Sequence, residues 1–191
     1  MLYGARAETN NDVSFLAGDL QRHAIQRLDC PRFASEGVPA YASRPMLSHK
    51  ARYALRALVE LAKAGADREH TDAQLTSGEL SARADAPRKF LEAIMLELSR
   101  RGIVVSRRGK FGGYILARPS QEITFAEVIR VMDGPLALAP CVSKMAFRKC
   151  DDCPELETCP LREALMRARD ATSHVLEAYT LYDAAQHGVV V

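Results

Sequence analysis

The stretch TSGELSARADAPRKFLEAIMLELSRRG, residues 76–102, restricts the possible folds more than any other part of this 191-residue chain. Thr76 followed three residues later by Glu79 is a capping-box signature, in which the two residues satisfy each other's orphan backbone N–H groups, so a helix starts there. It ends near Ala84, because Asp85 and Pro87 supply a second start: Asp caps a helix and Pro suits its first turn. Leu91, Ile94, Met95 and Leu98 recur at helical spacing and form the buried stripe of that second helix, which Gly102 closes. Two short helices joined by so tight a turn, behind a longer helix, make a helix-turn-helix.

The longer helix is MLSHKARYALRALVELAKAG, which begins abruptly at Met46. Ala51, Ala54, Leu55, Leu58, Leu61 and Ala62 follow the period of one helix face, and Gly65 stops it. Residues 1–45 read differently: ETNNDVSF and FASEGVPAYASRP are polar and punctuated by Gly and Pro, and only DVSFLAGDLQRHAIQRL has the makings of a short helix. The expectation is a disordered extension over residues 1–45, or a start site placed upstream of the native one, with Cys30 a bystander within it.

Beyond the helix-turn-helix, IVVSRRGKFGGYILARP sets β-rich Ile103–Val105 and Tyr114–Leu116 around a Gly-rich basic tip, the mark of a hairpin. A hairpin in that place is a wing. TFAEVIRVMDG is a further short helix with Thr124 and Glu127 as its capping box; a loop runs from Gly134 to Cys159, and Pro160 opens the last helix. On that helix Leu161, Leu165, Ala168, Thr172, Val175, Tyr179 and Tyr182 are spaced alternately by four and three, a heptad seam. Such a seam packs either on its own domain or on a second copy; a dimer is favoured because the domain already has a core and two-fold dimers dominate soluble oligomers. The expected fold is mainly α: a winged helix-turn-helix over 46–133, a cysteine-rich loop over 134–159, a long dimerisation helix over 160–183 and a flexible tail over 184–191.

Net charge is only +2, so attraction to a polyanion has to come from local clustering. From Ser99 to Gln121 stand Arg100, Arg101, Arg107, Arg108, Lys110 and Arg118, with no acidic residue among them until Glu122. On a wing, Arg107, Arg108 and Lys110 reach phosphates, while Gly112 and Gly113 let the main chain approach and offer N–H donors. Arg88 and Lys89 fall in the first turn of the recognition helix, where base edges are read and Arg binds guanine through two hydrogen bonds. The expected partner is double-stranded DNA, bound by a homodimer on a pseudo-palindromic operator. No apolar run is long enough to span a membrane, and no charged segment precedes an apolar one at the N-terminus, so a cytoplasmic protein is expected. Nothing suggests an enzyme: there is no nucleophile–base pairing, phosphate-cradling loop or shaped pair of carboxylates, and His49, His70, His174 and His187 read as surface or helix-end residues.

Four of the five cysteines cluster: Cys141, eight residues, Cys150, two residues, Cys153, five residues, Cys159. A Cys-x-x-Cys alone reads as half a zinc site, a redox pair or an iron–sulfur anchor. Reducing compartments favour metal ligands or redox sensors over structural disulfides. Lys144, Arg148 and Lys149 flank the cluster and favour thiolates, the form that ligates metal.

LSHKARYALRALVELA, RRGKFGGYIL, ITFAEVIRVMDG and CPLREAL, occurring in that order between Met46 and Tyr182, resemble the Rrf-two family of bacterial transcription regulators, with its IscR-, NsrR- and RirA-type members. The resemblance implies a winged helix, a dimerisation helix and three cysteines holding an iron–sulfur cluster whose loss or oxidation alters DNA affinity, so that a repressor reports iron, nitric oxide or redox state. On that resemblance Cys141 is the first ligand, Cys153 the second and Cys159 the third, leaving Cys150 as an extra. The IscR type has a His where Arg162 stands here, and the NsrR type an Asp nearest Arg52, so Cys150 is the candidate fourth ligand of a two-iron or four-iron cluster. Some relatives use thiol oxidation without a cluster, and a zinc-stabilised winged helix that binds protein is a further alternative.

Overall fold

Ser48, rather than Met46, sets the start of the first helix, α1 (His49–Lys63). Its hydroxyl accepts from the Ala51 amide at 3.0 Å, satisfying one of the N–H groups that a helix start leaves orphaned. Asp133 in turn holds Ser48, accepting from its amide at 2.9 Å and from its hydroxyl. The computed structural model describes residues 47–65, 73–109, 112–153 and 155–187. The expectations for residues 1–45, Cys30, Met46, His70, Lys110 and the end of the tail lie outside the described residues.

Helix α1 is central, with Ala51, Ala54, Ala57, Leu58 and Leu61 all fully buried. The alanines let neighbouring helices come close. The capping box at Thr76 is present in full and opens α2 (Ser77–Arg83). Asp85 does not cap α3 (Arg88–Arg100); Pro87 occupies the cap position and makes no side-chain cap bond. Asp85 instead sits at φ 48°, a left-handed turn conformation that short polar residues tolerate. Ser81 stitches the turn, its hydroxyl donating to the Ala86 carbonyl at 2.7 Å.

The wing is an antiparallel pair, β1 (Val104–Arg107) and β2 (Gly113–Leu116), in register Val104↔Leu116 to Arg107↔Gly113. Both strands extend one or two residues nearer the tip than the sequence pattern suggests. Leu75 adds a bridge to Tyr114, with reciprocal bonds of 3.2 and 2.8 Å. That close approach requires Gly113, where a Cβ would lie 2.6 Å from the Leu75 carbonyl oxygen.

After a short 3-10 turn at Ser120–Glu122, α4 (Phe125–Met132) packs on α1. The expected single helix over 160–183 is two. α5 (Arg162–Ala178) begins two residues after Pro160 and has no buried residue along its length. The chain breaks at Tyr179, because its carbonyl takes the Phe125 amide at 2.9 Å while Leu181 donates to Ile123 at 2.9 Å. Thr180 and Asp183 then form a new capping box, and α6 (Leu181–Gln186) packs on α1 with Leu181 fully buried. No helix among the described residues is long and apolar enough to cross a membrane.

Candidate functional site: a basic winged helix and a cysteine cavity

Arg88 and Lys89 are exposed in the first turn of α3. Arg88 Nε donates to Glu92 at 3.0 Å. An exposed pair at this spacing is worth only about 0.3–0.5 kcal/mol, so it leaves the Arg88 guanidinium open to exchange for a stronger acceptor. The exposed face continues through Ala93, Leu96 and Arg100, about 18 Å along the helix at 1.5 Å per residue.

The wing tip presents exposed Arg107 and Arg108 beside Gly109, whose φ of 110° only glycine adopts without strain. Gly112 closes the turn by donating to Gly109 at 2.9 Å. Gly113 is buried behind Leu75, so its place in the chain is one of backbone packing rather than of surface contact. Arg118 is drawn to Glu127 on α4 and leaves the basic cluster. What remains is a helix of groove-fitting length with a cationic wing, the arrangement that reads bases with one element and holds phosphates with the other.

The second feature is a cavity of about 380 Å³ lined by Cys141, Cys150, Cys153 and Cys159, with Leu161 and Leu165 from the start of α5 on its wall. Cys141 lies on a 3-10 turn, Pro140–Val142, and is 3% exposed; the other three are half-buried, and all four are free thiols. The sulfurs interact around the cavity. Hydrogen bonding with the Cys150 thiol pushes the Cys141 thiol up, helped by burial and by charge at Cys150 and Cys159. Burial pushes the Cys153 thiol up, helped by hydrogen bonding with Cys159 and by charge at Cys159 and Cys150. The expected thiolate-favouring effect of the basic flank is therefore outweighed at both residues. Lys149 does act in that direction on Cys153, but Lys144 is drawn to Asp170 at 2.9 Å.

All four cysteines line this one cavity; among the described residues no group of three or more His, Cys, Asp or Glu lies close enough together to hold a single metal ion. Cysteine thiolates are the ligands an iron–sulfur cluster takes, and four cysteines line this one cavity. The residues present fit such a group. Arg162 and Arg52 each have a buried Nε without a hydrogen-bond partner.

Helix α5 joins this cavity to the rest of the molecule. Leu161 and Leu165 line it, while Arg169, Thr172 and Leu176, further along the helix, line an apolar groove of about 540 Å³ with Leu47, Ile129 and Leu136. The heptad residues are thus divided. Leu161, Leu165 and Thr172 border cavities of their own chain, and Tyr179 packs edge-on against Phe125 at 5.2 Å. Tyr182 belongs to α6, and Val175 remains 64% exposed on α5. The sequence pattern does not single out Asp133, which clamps α1, or Arg169, which donates to the Val142 carbonyl. Neither contact has a local sequence signature.

A family model described as "Rrf2: Iron-dependent Transcriptional regulator" matches residues 47–187. A putative HTH-type transcriptional regulator, rrf2-like, of Rhodobacter capsulatus is 36% identical over 138 residues, covering 72% of this chain and 91% of its own. The HTH-type transcriptional regulator IscR of Cereibacter sphaeroides is 40% identical over 88 residues, 46% of this chain and 54% of its own. Among solved structures, CymR, the global cysteine regulator of B. subtilis, superposes with a TM-score of 0.59 at 29% identity, covering 75% of this chain and 98% of that one.

Proposed function

The chain belongs to the Rrf2 family of transcriptional regulators, and from that membership we propose that it is a homodimeric repressor whose operator affinity is set by an iron–sulfur cluster in the cysteine cavity. It is a regulator, not an enzyme. The observation that carries the reading is the ring of four thiols around one cavity whose wall is the helix leading back to the DNA-binding half. Cys141, Cys153 and Cys159 would hold the cluster, with Cys150 as fourth ligand. When bound, such a cluster supplies a centre that responds to iron supply, nitric oxide or redox state.

The chain's own residues do the rest. The turn Pro140–Val142 keeps Cys141 buried at the base of the cavity, and Leu161 and Leu165 close its α5 side. Arg88 and Lys89 read base edges, Arg107, Arg108 and Lys110 hold phosphates, and Gly112 lets the wing turn come close to the backbone. Two copies joined through α5 place two α3 helices on a pseudo-palindrome. The site of action is where the DNA is, in the cytoplasm.

A second reading has its own support. Four free thiols line one cavity, Cys141 beside Cys150 and Cys159 among them, which also suits a cluster-free thiol–disulfide switch. Anaerobic purification separates the two. Brown protein carrying iron and acid-labile sulfide supports the cluster. Colourless metal-free protein whose operator affinity changes with diamide, and returns with dithiothreitol, supports the switch. Colourless protein with stoichiometric zinc contradicts both.

A further inference from the structure

Arg169 stands where the cysteine turn meets α5. Its Nη1 donates to the carbonyl of Val142, the residue after Cys141. Its Nε and Nη2 hold Asp170 at 3.0 and 2.8 Å, and Asp170 also takes Lys144 at 2.9 Å, so the chain is tied to α5 on both sides of Ser143. The Arg169 side chain is only 11% exposed, where screening by solvent is weak. Within the turn Val142 donates to Ala139, and Ser143 to Pro140, each at 3.2 Å, and the Pro140 carbonyl also accepts from the Arg148 amide at 3.2 Å. The Val142 carbonyl takes its donor from outside. Arg169 also lines the apolar groove of about 540 Å³ and a second cavity of about 350 Å³ that it shares with Arg130, Lys144 and Glu177, both between α5 and the segment that follows α4. From there, Arg130 on α4 pairs with Glu177 on α5, and Asp133 at the end of α4 holds Ser48 at the start of α1.

We propose that Arg169 is a positioning residue that holds the Cys141 turn against α5, so that a change at the cysteines passes through α5 and α4 to the start of α1 and the DNA-binding half. This rests on the reading that the cysteines sense a signal. Coupling between two sites is a free energy of its own, distinct from the affinity of either. Removing a contact that carries it leaves both sites working but independent. A residue that only supports the fold would weaken both together.

The test uses the full chain under argon as wild type, Arg169→Met and Arg169→Lys. Met keeps the apolar stem without the donors; Lys keeps a charge and can still reach a carbonyl. After reconstitution with iron and sulfide, three quantities are read: iron content with visible circular dichroism, peptide-resolved hydrogen exchange, and operator affinity before and after the iron is chelated. In Arg169→Met, iron content should match wild type while the visible dichroism changes shape. Exchange across Ala139–Ser143 should speed up at least tenfold, and the ratio of the two affinities should fall towards one. Arg169→Lys should restore part of that ratio. Wild-type exchange and an undiminished ratio in Arg169→Met overturn the proposal, and if that variant does not fold, Arg169→Lys carries the same comparisons. A wild type that takes up no iron defeats the cluster reading separately. Cysteine alkylation with N-ethylmaleimide then decides the role of Arg169: it should alter exchange over Leu47–Ala51 in wild type and not in the variant, and equal responses overturn it.

Discussion

Cys150 separates a full four-thiol ring from the three-cysteine set that the family resemblance implies. Replacing Cys141, Cys153 or Cys159 by Ala should abolish the visible absorption of anaerobically reconstituted protein, whereas Cys150→Ala should keep part of it with an altered spectrum. Full colour in Cys153→Ala with none in Cys150→Ala would exchange the roles of the two. Asp170 allows a test by pH. Its hydrogen bonds to Arg169, and then to Lys144, lower its carboxyl from 3.8 to about 2. A carboxyl depressed in the folded state contributes stability above its ordinary value and loses it as pH falls through the folded one. The tie between the cysteine segment and α5 should therefore be fully present at pH 5 and fade between about 4 and 2. Hydrogen exchange across Ala139–Ser143 should be faster in Asp170→Asn than in wild type at pH 5, and the gap should shrink from about pH 4 and close below about pH 2; a difference undiminished at pH 2 contradicts the assignment. At this scale the sequence exposed the cysteines, because their spacing is local. It hid Arg169, whose partner is a backbone carbonyl 27 positions away. It also misjudged thiol acidity, because the proximity of the sulfurs to one another appears only in three dimensions.

Among the elements, the proposed function gives the wing and α3 separable duties. Arg107→Ala and Arg108→Ala should each free one phosphate and so reduce the slope of log affinity against log salt by about 0.9, with little change in preference among sequences. Arg88→Ala should cost about 1–3 kcal/mol on the preferred site and little on random DNA. Competition binding at several salt concentrations distinguishes the two, and the reverse pattern would exchange the assignments. Gly113→Ala should destabilise the fold by about 1–3 kcal/mol, because its Cβ would meet the Leu75 carbonyl at 2.6 Å; urea unfolding measures it, and an unchanged midpoint would contradict the packing account. Elements with local signals were legible, as the Thr76–Glu79 box shows. The break at Tyr179 was not. Thr180 and Asp183 carry the spacing of a capping box, but the heptad pattern ran across them, and the contacts of Tyr179 and Leu181 with α4 and its approach decide between the two. Asp85 likewise read as a cap because sequence does not report a positive φ.

In the whole molecule, the proposed function makes α5 the element shared by sensing and assembly. It has no buried residue in the chain taken singly, and Val175 is 64% exposed, so this face is open to a second copy. Val175→Glu should shift the protein to monomer in sedimentation velocity and weaken operator binding, leaving thermal unfolding of the winged helix close to wild type. A dimer unaffected by this change would move the interface elsewhere. The overall organisation was legible from Leu47 to Gln186 because helix, wing and loop follow in an order that few folds share, while the division of α5 between cavity and seam depends on side-chain direction. The most direct test of the account is one titration. The full chain, purified without oxygen, is measured for affinity to a genomic DNA fragment it selects, before and after its iron is removed by chelation, with Cys141→Ala alongside. The account predicts bound iron and sulfide in wild type, at least a tenfold difference in affinity between its two states, and no response in Cys141→Ala. Wild-type protein whose affinity is the same with and without iron would contradict it.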